Sequence, residues 1–443
     1  MNARKQLKKM AILTMFGLVI HGGMICPKQA HAEGGSEQTQ AAVAKDANVY
    51  QGKITGVSKK AKSITISVGK GDQAKMIMVK YDDATKGMEH AKDGEAAIIT
   101  FEVRGKDSVA TDIKPKLATL PAGVKEIQPE ELITLIDSAP KPGNFVLVDS
   151  RPAKRYDDGH IPGAISIPSD DITTKGAALL LPEKNTPLIF YCGGITCGLS
   201  PASAEAAVKM GYTDVKVMLK GAPGWKKAGK MLVASDSFVE KGNIILVDVR
   251  SEEEAKSGHI ERAVNIPLDT LSDAEGDFPV KAPVVVYGNG GDADKAAAMI
   301  SKWGLKTVAL VEGGLAGYTA RGHQLSTAPV ETEINWVRQL GKGEVSADEF
   351  LTAVKEKSAG SVILDVRTKD ETAEGTFDQA LTIPLDTLES RISELPKDKE
   401  LLIHCSTGAR AEMAHQILNK NGLKSRFLVA DVACTATGKC SVE

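Results

Sequence analysis

Val148-Asp149-Ser150-Arg151, Val247-Asp248-Val249-Arg250 and Leu364-Asp365-Val366-Arg367 are three copies of one opening, and their continuations decide the fold. Each runs through a glycine (Gly159, Gly258, Gly375) to an apolar residue and a proline (Ile167-Pro168, Ile266-Pro267, Ile383-Pro384). A short apolar stretch follows: 188–191, 284–287 and 401–404. Such runs, bounded by turn residues, suit parallel strands buried on both faces. Asp149 and Asp248 lie 99 residues apart, and Asp248 and Asp365 lie 117 apart, so the repeating unit is a domain and not a solenoid turn.

What stands directly after the apolar strand differs between copies: Cys192, Gly288 and Cys405. A cysteine between a strand end and a helix start sits where backbone N–H groups converge and the helix dipole favours negative charge. That placement makes a thiolate nucleophile. The third copy reads Cys405-Ser406-Thr407-Gly408-Ala409-Arg410-Ala411. Gly408 permits a positive φ, so the loop Ser406, Thr407, Gly408, Ala409 can curl and aim its amides at one point. Arg410, on the first turn of a helix predicted over 409–419, is placed to bind an incoming anion such as thiosulfate.

The first copy reads Cys192-Gly193-Gly194-Ile195-Thr196-Cys197-Gly198-Leu199-Ser200-Pro201, a loop about two residues longer, with Cys197 where the third copy has Arg410. Ser200 reads as a helix N-cap and Pro201 as the first helical turn. Gly193 and Gly194 give the loop room for two thiols, and two readings stand. A persulfide or sulfenate on Cys192 could be resolved by Cys197, or the pair could be a structural disulfide closing the loop. The second copy, Gly288-Asn289-Gly290-Gly291-Asp292-Ala293-Asp294, has no nucleophile, and its two aspartates would repel an anion; it reads as scaffold.

Together with Gly159-His160-Ile161-Pro162-Gly163-Ala164, Gly221-Ala222-Pro223-Gly224-Trp225 and Gly313-Gly314-Leu315-Ala316-Gly317-Tyr318, these landmarks resemble the rhodanese (thiosulfate sulfurtransferase) superfamily over residues 121–443. The resemblance implies α/β domains with a central parallel sheet flanked by helices, and a loop cysteine that carries sulfane sulfur as a persulfide. One family segment, Gly-Gly-x-x-x-Trp, is absent from the third copy, where Leu428-Val429-Ala430-Asp431-Val432 stands instead. A wall of the usual pocket is therefore missing there or supplied by another domain. The Asp-x-Arg pairs read as fold anchors, and His160 and His259 as part of the same landmark. No haem, nucleotide-loop or zinc spacing occurs, so neither cofactor nor metal is expected.

The N-terminus has basic residues (Arg4, Lys5, Lys8, Lys9), an apolar stretch from Met10 to Ile20 and a small-residue site at Ala30-His31-Ala32. This reads as a signal peptide over 1–32, placing the protein in the periplasm; the alternative is a lipoprotein anchored through Cys26. Removing 1–32 takes away five cations and no acid, so the formal charge moves from −2 to −7. A mildly acidic chain without a basic stripe argues against nucleic acid as a partner. Cysteines fall from six to five, leaving at least one unpaired within a monomer in an oxidising compartment.

Residues 33–47 read as a disordered linker. Residues 48–116 alternate at Ile64, Ile66, Val68 and at Ile99, Phe101, Val103, which predicts a small all-β barrel or sandwich. Met76, Met78, Met88 and His90 are either soft-metal ligands or core methionines with a surface histidine. Domains are expected at 121–232, 233–325 and 344–443, with 326–343 a linker docked through Ile334 and Trp336. Cys434 and Cys440 flank Thr437-Gly438 symmetrically; they form a structural disulfide across a terminal hairpin, or the tail frays with both thiols free.

The function expected is periplasmic sulfane-sulfur transfer through a cysteine persulfide, from a thiosulfate or polysulfide donor to a thiol acceptor. The alternative is a non-catalytic protein that binds sulfur or selenium oxyanions or docks on an envelope redox partner.

Overall fold

The computed structural model describes residues 48–59, 62–69, 74–138, 144–180, 183–305, 307–357, 359–435 and 439–442. The expected signal peptide, Cys26, the linker 33–47 and the turn at Thr437-Gly438 lie outside the described residues. Among the described residues no helix is long and apolar enough to cross a membrane.

Strands β1 (Val49–Ser58), β2 (Ser63–Val68), β3 (Lys75–Lys80), β4 (Ala96–Arg104) and β5 (Asp107–Pro115) close into a barrel in the order β1-β2-β3-β5-β4. Ile54, Ile64, Ile66, Val79 and Ile99 are wholly buried inside it; each such side chain contributes roughly 1.5–3 kcal/mol. The alternation read along 99–103 fails at its end. A register shift between Thr100 and Phe101 bends β4, so Phe101 stacks on Tyr50 and Val103 is 62% exposed. Met76 and Met78 are not core methionines. They alternate with the inward Ile77 and Val79 and face the third α/β domain.

Three five-stranded sheets follow. Within each, every pairing is parallel, and the strand that precedes the diagnostic loop lies in the middle. In the first the order is Lys125–Glu126, Val215–Met218, Leu188–Tyr191, Val146–Asp149, Ile165–Ser166. From Val146–Asp149 the chain steps outward one way, and from Leu188–Tyr191 it steps outward the other way. The crevice between these two strand ends is the switch point where open α/β sheets place their ligands. Cys192, Gly288 and Cys405 all stand at such points because each follows the middle strand. The second and third sheets repeat this order around Val284–Tyr287 and Glu400–His404.

The repeated Asp-x-Arg is a fold anchor in every copy. Arg151 Nη2 donates to Asp149 Oδ2 at 2.5 Å and to the Gly159 carbonyl at 2.7 Å. Arg250 and Arg367 do the same with Asp248 and Gly258, and with Asp365 and Gly375. The buried charge pair thus ties the strand end to the landmark glycine eight residues on. His160 and His259 are buried, their backbones bridging to Val233 and Ser326. Ile334 and Trp336 pack on the core of the second domain, and the Trp336 indole donates to the Asn243 carbonyl at 3.2 Å.

Candidate active site

At the first loop, Cys192 is 1% exposed and follows a strand whose four residues are all buried. The Ser200 hydroxyl donates to Cys192 Sγ at 3.1 Å. The Cys197 thiol, the Ser200 hydroxyl and the amides of Ser200 and Gly194 outweigh burial and bring the Cys192 thiol down to about 6. The Cys197 carbonyl, 3.2 Å from Sγ, is the one contact that favours the neutral thiol. Cys197 itself is pushed well up, since it donates to Cys192 and is buried beside a negative sulfur. The pair is a thiolate with a thiol held against it, and both sulfurs are unbridged.

Ser200 does not cap the helix as its sequence position suggested. The helix spans Leu199–Lys209 with Gly198 at its N-cap, and the serine hydroxyl turns inward to sulfur. Gly194 is buried, at φ 127, and Gly193 is half-buried. With Ile195 they line a cavity of about 490 Å³ whose walls also carry Lys220, Lys227, Glu95 and Glu130.

At the third loop, the Gly408 amide donates to Cys405 Sγ at 3.1 Å. Gly408 has φ 101, and a Cβ there would stand 2.9 Å from Val429 Cα, so glycine is required on both counts. Ala409 opens the helix Ala409–Lys420 and Thr407 points outward. Arg410 is not free to hold a donor anion. Its guanidinium grips Glu371 at 2.6 and 2.8 Å and takes Ser406 Oγ at 3.0 Å, and Ser406 also donates to Glu371 at 2.7 Å. Burial would raise the Glu371 carboxyl, but Arg410, the Thr368 amide and Ser406 hold it down at about 2. The positive charge read from the sequence is therefore cancelled by a carboxylate from another element. Glu371 escaped notice in the sequence, although Thr368-x-x-Glu371 is a capping-box spacing and the structure forms that box.

His404, directly before the nucleophile, is wholly buried between Phe350 and Phe377. Its counterparts Tyr191 and Tyr287 each accept a backbone N–H from the landmark loop, at Ile161 and Ile260. His404 Nε2 lies 3.4 Å from Asp365 Oδ2; burial outweighs that carboxylate and pushes the imidazole's pKa down to about 4, so the ring is neutral.

The wall expected to be missing beside Cys405 is filled twice over. A hairpin of Val432–Cys434 and Cys440–Val442 closes one side, with the Val432 amide donating to the Ser406 carbonyl at 2.9 Å. Cys434 and Cys440 face each other across it and are bridged. The barrel closes the other side. Lys80 pairs with Asp370, Ser58 Oγ donates to Glu371 at 3.4 Å, and Thr65, Met76 and Met78 line a crevice with Val366, Leu385 and Arg410. The same barrel reaches the first loop, where Glu95 accepts from Thr196, and the following linker bonds Ala118 N–H to the Ile195 carbonyl at 2.8 Å.

At the second loop Gly288 takes the place of the cysteine. A Cβ on Gly288 would lie 2.6 Å from Val249 Cγ2, so no cysteine fits without repacking. Among the described residues no cluster of three or more His, Cys, Asp or Glu could hold a metal ion.

Comparison with known proteins agrees with this architecture. A sulfurtransferase of Allochromatium vinosum is 38% identical over 61 residues, 14% of this chain and 57% of that protein. The transcriptional regulator Rv0324 of Mycobacterium tuberculosis is 34% identical over 103 residues, 23% of this chain and 44% of that protein. The chain thus spans about half the length of these relatives. The putative sulfurtransferase YtwF of Bacillus subtilis is 33% identical over 84 residues, 19% of this chain and 72% of that one. Among solved structures, a thiosulfate sulfurtransferase of Pseudomonas aeruginosa aligns with 69% of this chain and 64% of its own, at 19% identity and a TM-score of 0.25. The Rhodanese-like domain model matches residues 128–228, 235–321 and 346–432, more than half of the chain, and the chain belongs to that family.

Proposed function

We propose that this protein moves sulfane sulfur through cysteine persulfides on Cys192 and Cys405, taking it from thiosulfate or a polysulfide and passing it to a thiol acceptor. The observation that carries this reading is the polarisation of Cys192. Donors from Ser200, Cys197 and the loop amides hold its thiol at about 6, so it is a thiolate at neutral pH. The same donors suit the outer sulfur of a persulfide anion, which carries the same charge one bond further out. An acceptor thiolate that attacks the outer sulfur carries it off as its own persulfide and frees the Cys192 thiolate. Alternatively Cys197, once it has lost its proton, attacks Sγ, expels hydrosulfide and leaves a Cys192–Cys197 disulfide for an external dithiol to reduce. Residues 1–32 would direct the chain to the periplasm, where such a reductant belongs to an envelope redox partner.

The test is peptide mass after incubation with thiosulfate or polysulfide. A +32 Da adduct on Cys192 or Cys405 that a thiol reductant removes is the expected result; no adduct on either cysteine would overturn the reading. A second reading, a non-catalytic binding protein, draws on the burial of Cys405 and the capture of Arg410 by Glu371. It expects oxyanion binding with no adduct. Fractionation of cells tests the compartment, with cytoplasmic recovery counting against it.

A further inference from the structure

The loop that carries Cys192 is attached at two points outside its own domain. A turn closes where the Cys197 amide donates to the Gly194 carbonyl at 2.9 Å, which places Ile195 and Thr196 at its two corners. The ends of this turn meet the sulfur. The Gly194 amide and the Cys197 side chain donate to Cys192 Sγ, and the Cys197 carbonyl lies 3.2 Å from it. The corners meet the barrel and its linker: the Thr196 hydroxyl donates to the Glu95 carboxylate, and the Ala118 amide donates to the Ile195 carbonyl at 2.8 Å. Both anchors are themselves fixed. The Glu95 carbonyl takes the Ile54 amide of β1 at 2.9 Å, and the Lys116 amide is bonded to the Ala96 carbonyl of β4 at 2.9 Å. Ile195 is half exposed and adds little packing of its own.

We propose that the barrel positions the Cys192 loop through the bond from Thr196 to Glu95, so that the donors on the sulfur are aimed by a residue of another domain. The proposal deepens the transfer reading, in which Cys192 is the reacting thiolate, and gives the barrel a part in it. Glu95 is a positioning residue and acts through the turn. With the corners freed, the turn drifts, the donors at its ends lose their aim, and the sulfur reverts toward an ordinary thiol. The other charged groups around the loop are Lys220, Lys227 and Glu130, which line the same cavity as Gly193, Gly194 and Ile195. Asp149 and Arg151, at the end of the neighbouring strand, neutralise each other, as do Glu205 and Lys209 on the helix Leu199–Lys209. As a bare negative charge Glu95 would oppose a thiolate, and removing it would favour one. As an anchor it supports the thiolate, and removing it has the opposite sign.

Iodoacetamide labelling of the full-length protein is followed against pH and located at Cys192 by fragment mass. Glu95→Ala and Thr196→Val should each raise the half-maximal pH by about one unit, the scale of weakening one hydrogen bond to a charged group. Glu95→Gln keeps an acceptor and loses the charge, so it should stay at or below the parent value. The double variant Glu95→Ala/Thr196→Val should move no further than either single, since both remove the same bond. A downward shift in Glu95→Ala, or no shift in either single variant, would overturn the positioning role and leave the Cys192 thiolate standing. A parent midpoint in the ordinary thiol range, about 8.5, would overturn that thiolate and the proposal with it. The labelling uses no sulfur donor, so its outcome is separate from that of the +32 Da adduct on which the transfer reading stands.

Discussion

At the residue scale the two cysteines differ in how their charge is managed. Apart from the Cys197 carbonyl, the groups around Cys192 are donors that stabilise a negative sulfur, and the Ser200 hydroxyl is the one most simply removed. Alkylation of Cys192 should be half-maximal near pH 6. Ser200→Ala should carry that midpoint up by about one to two pH units, since one hydrogen bond to a charged group is worth roughly 1.5–3 kcal/mol. An unmoved midpoint in a pH-rate profile would mean the hydroxyl contributes nothing to the thiolate. Around Cys405 the charge is instead locked in a pair. Glu371 is held at about 2 against an ordinary 4.5, so its pairing stabilises the fold fully above pH 4.5 and is lost as pH falls toward 2. Glu371→Ala leaves the buried Arg410 without its counter-charge and should cost about 3–5 kcal/mol in urea unfolding at pH 7. That deficit should shrink on acidification through the same window; a loss that ignores pH would point to packing and not to the ion pair.

At the scale of elements, the terminal hairpin is the clearest addition to the family's plan. Its bridge closes a short loop, so removing it should cost about 2 kcal/mol by chain entropy. Cys434→Ala/Cys440→Ala should therefore lower the melting temperature. Because Val432 holds the Ser406 carbonyl, the same change should also alter Cys405 alkylation. A lower melting temperature with unchanged Cys405 reactivity would limit the hairpin to a structural role. The sequence made the architecture legible because each copy carries its own punctuation. The Asp-x-Arg pair, landmark glycine and apolar-Pro stop recur in register, and each has a local physical reason to sit where it does. The thiol positions were legible for the same reason, as a strand end followed by a helix start needs no partner from elsewhere. What stayed hidden were the side-chain partners that set the charge around each thiol. Arg410 was read as a free cation because Glu371 lies 39 residues upstream in another element. Ser200 was read as a cap because only the folded loop shows its hydroxyl turned to sulfur.

At the scale of the whole molecule, the barrel docks on the third α/β domain at Asp370 and at the Glu371–Arg410 pair that adjoins the Cys405 loop. The outward face of the barrel's second and third strands, through Thr65, Met76 and Met78, packs against the third α/β domain. In the intervening domain Gly288 stands where the other two copies carry cysteine. The contact at the barrel's edge is modest: Lys80 and Asp370 are 25% and 66% exposed, and such pairs are worth about 1 kcal/mol or less. If burial of Cys405 depends on this contact, Cys405 should react with N-ethylmaleimide faster whenever the contact is weakened. Lys80→Ala should speed that reaction by up to about fivefold, and Lys80→Glu by more, because reversal adds repulsion to the lost attraction. Raising salt should accelerate the parent protein, whose ion pair it screens, and should leave Lys80→Ala unaffected. Equal maleimide rates in all three proteins would place the burial of Cys405 within its own domain and take the barrel out of its control.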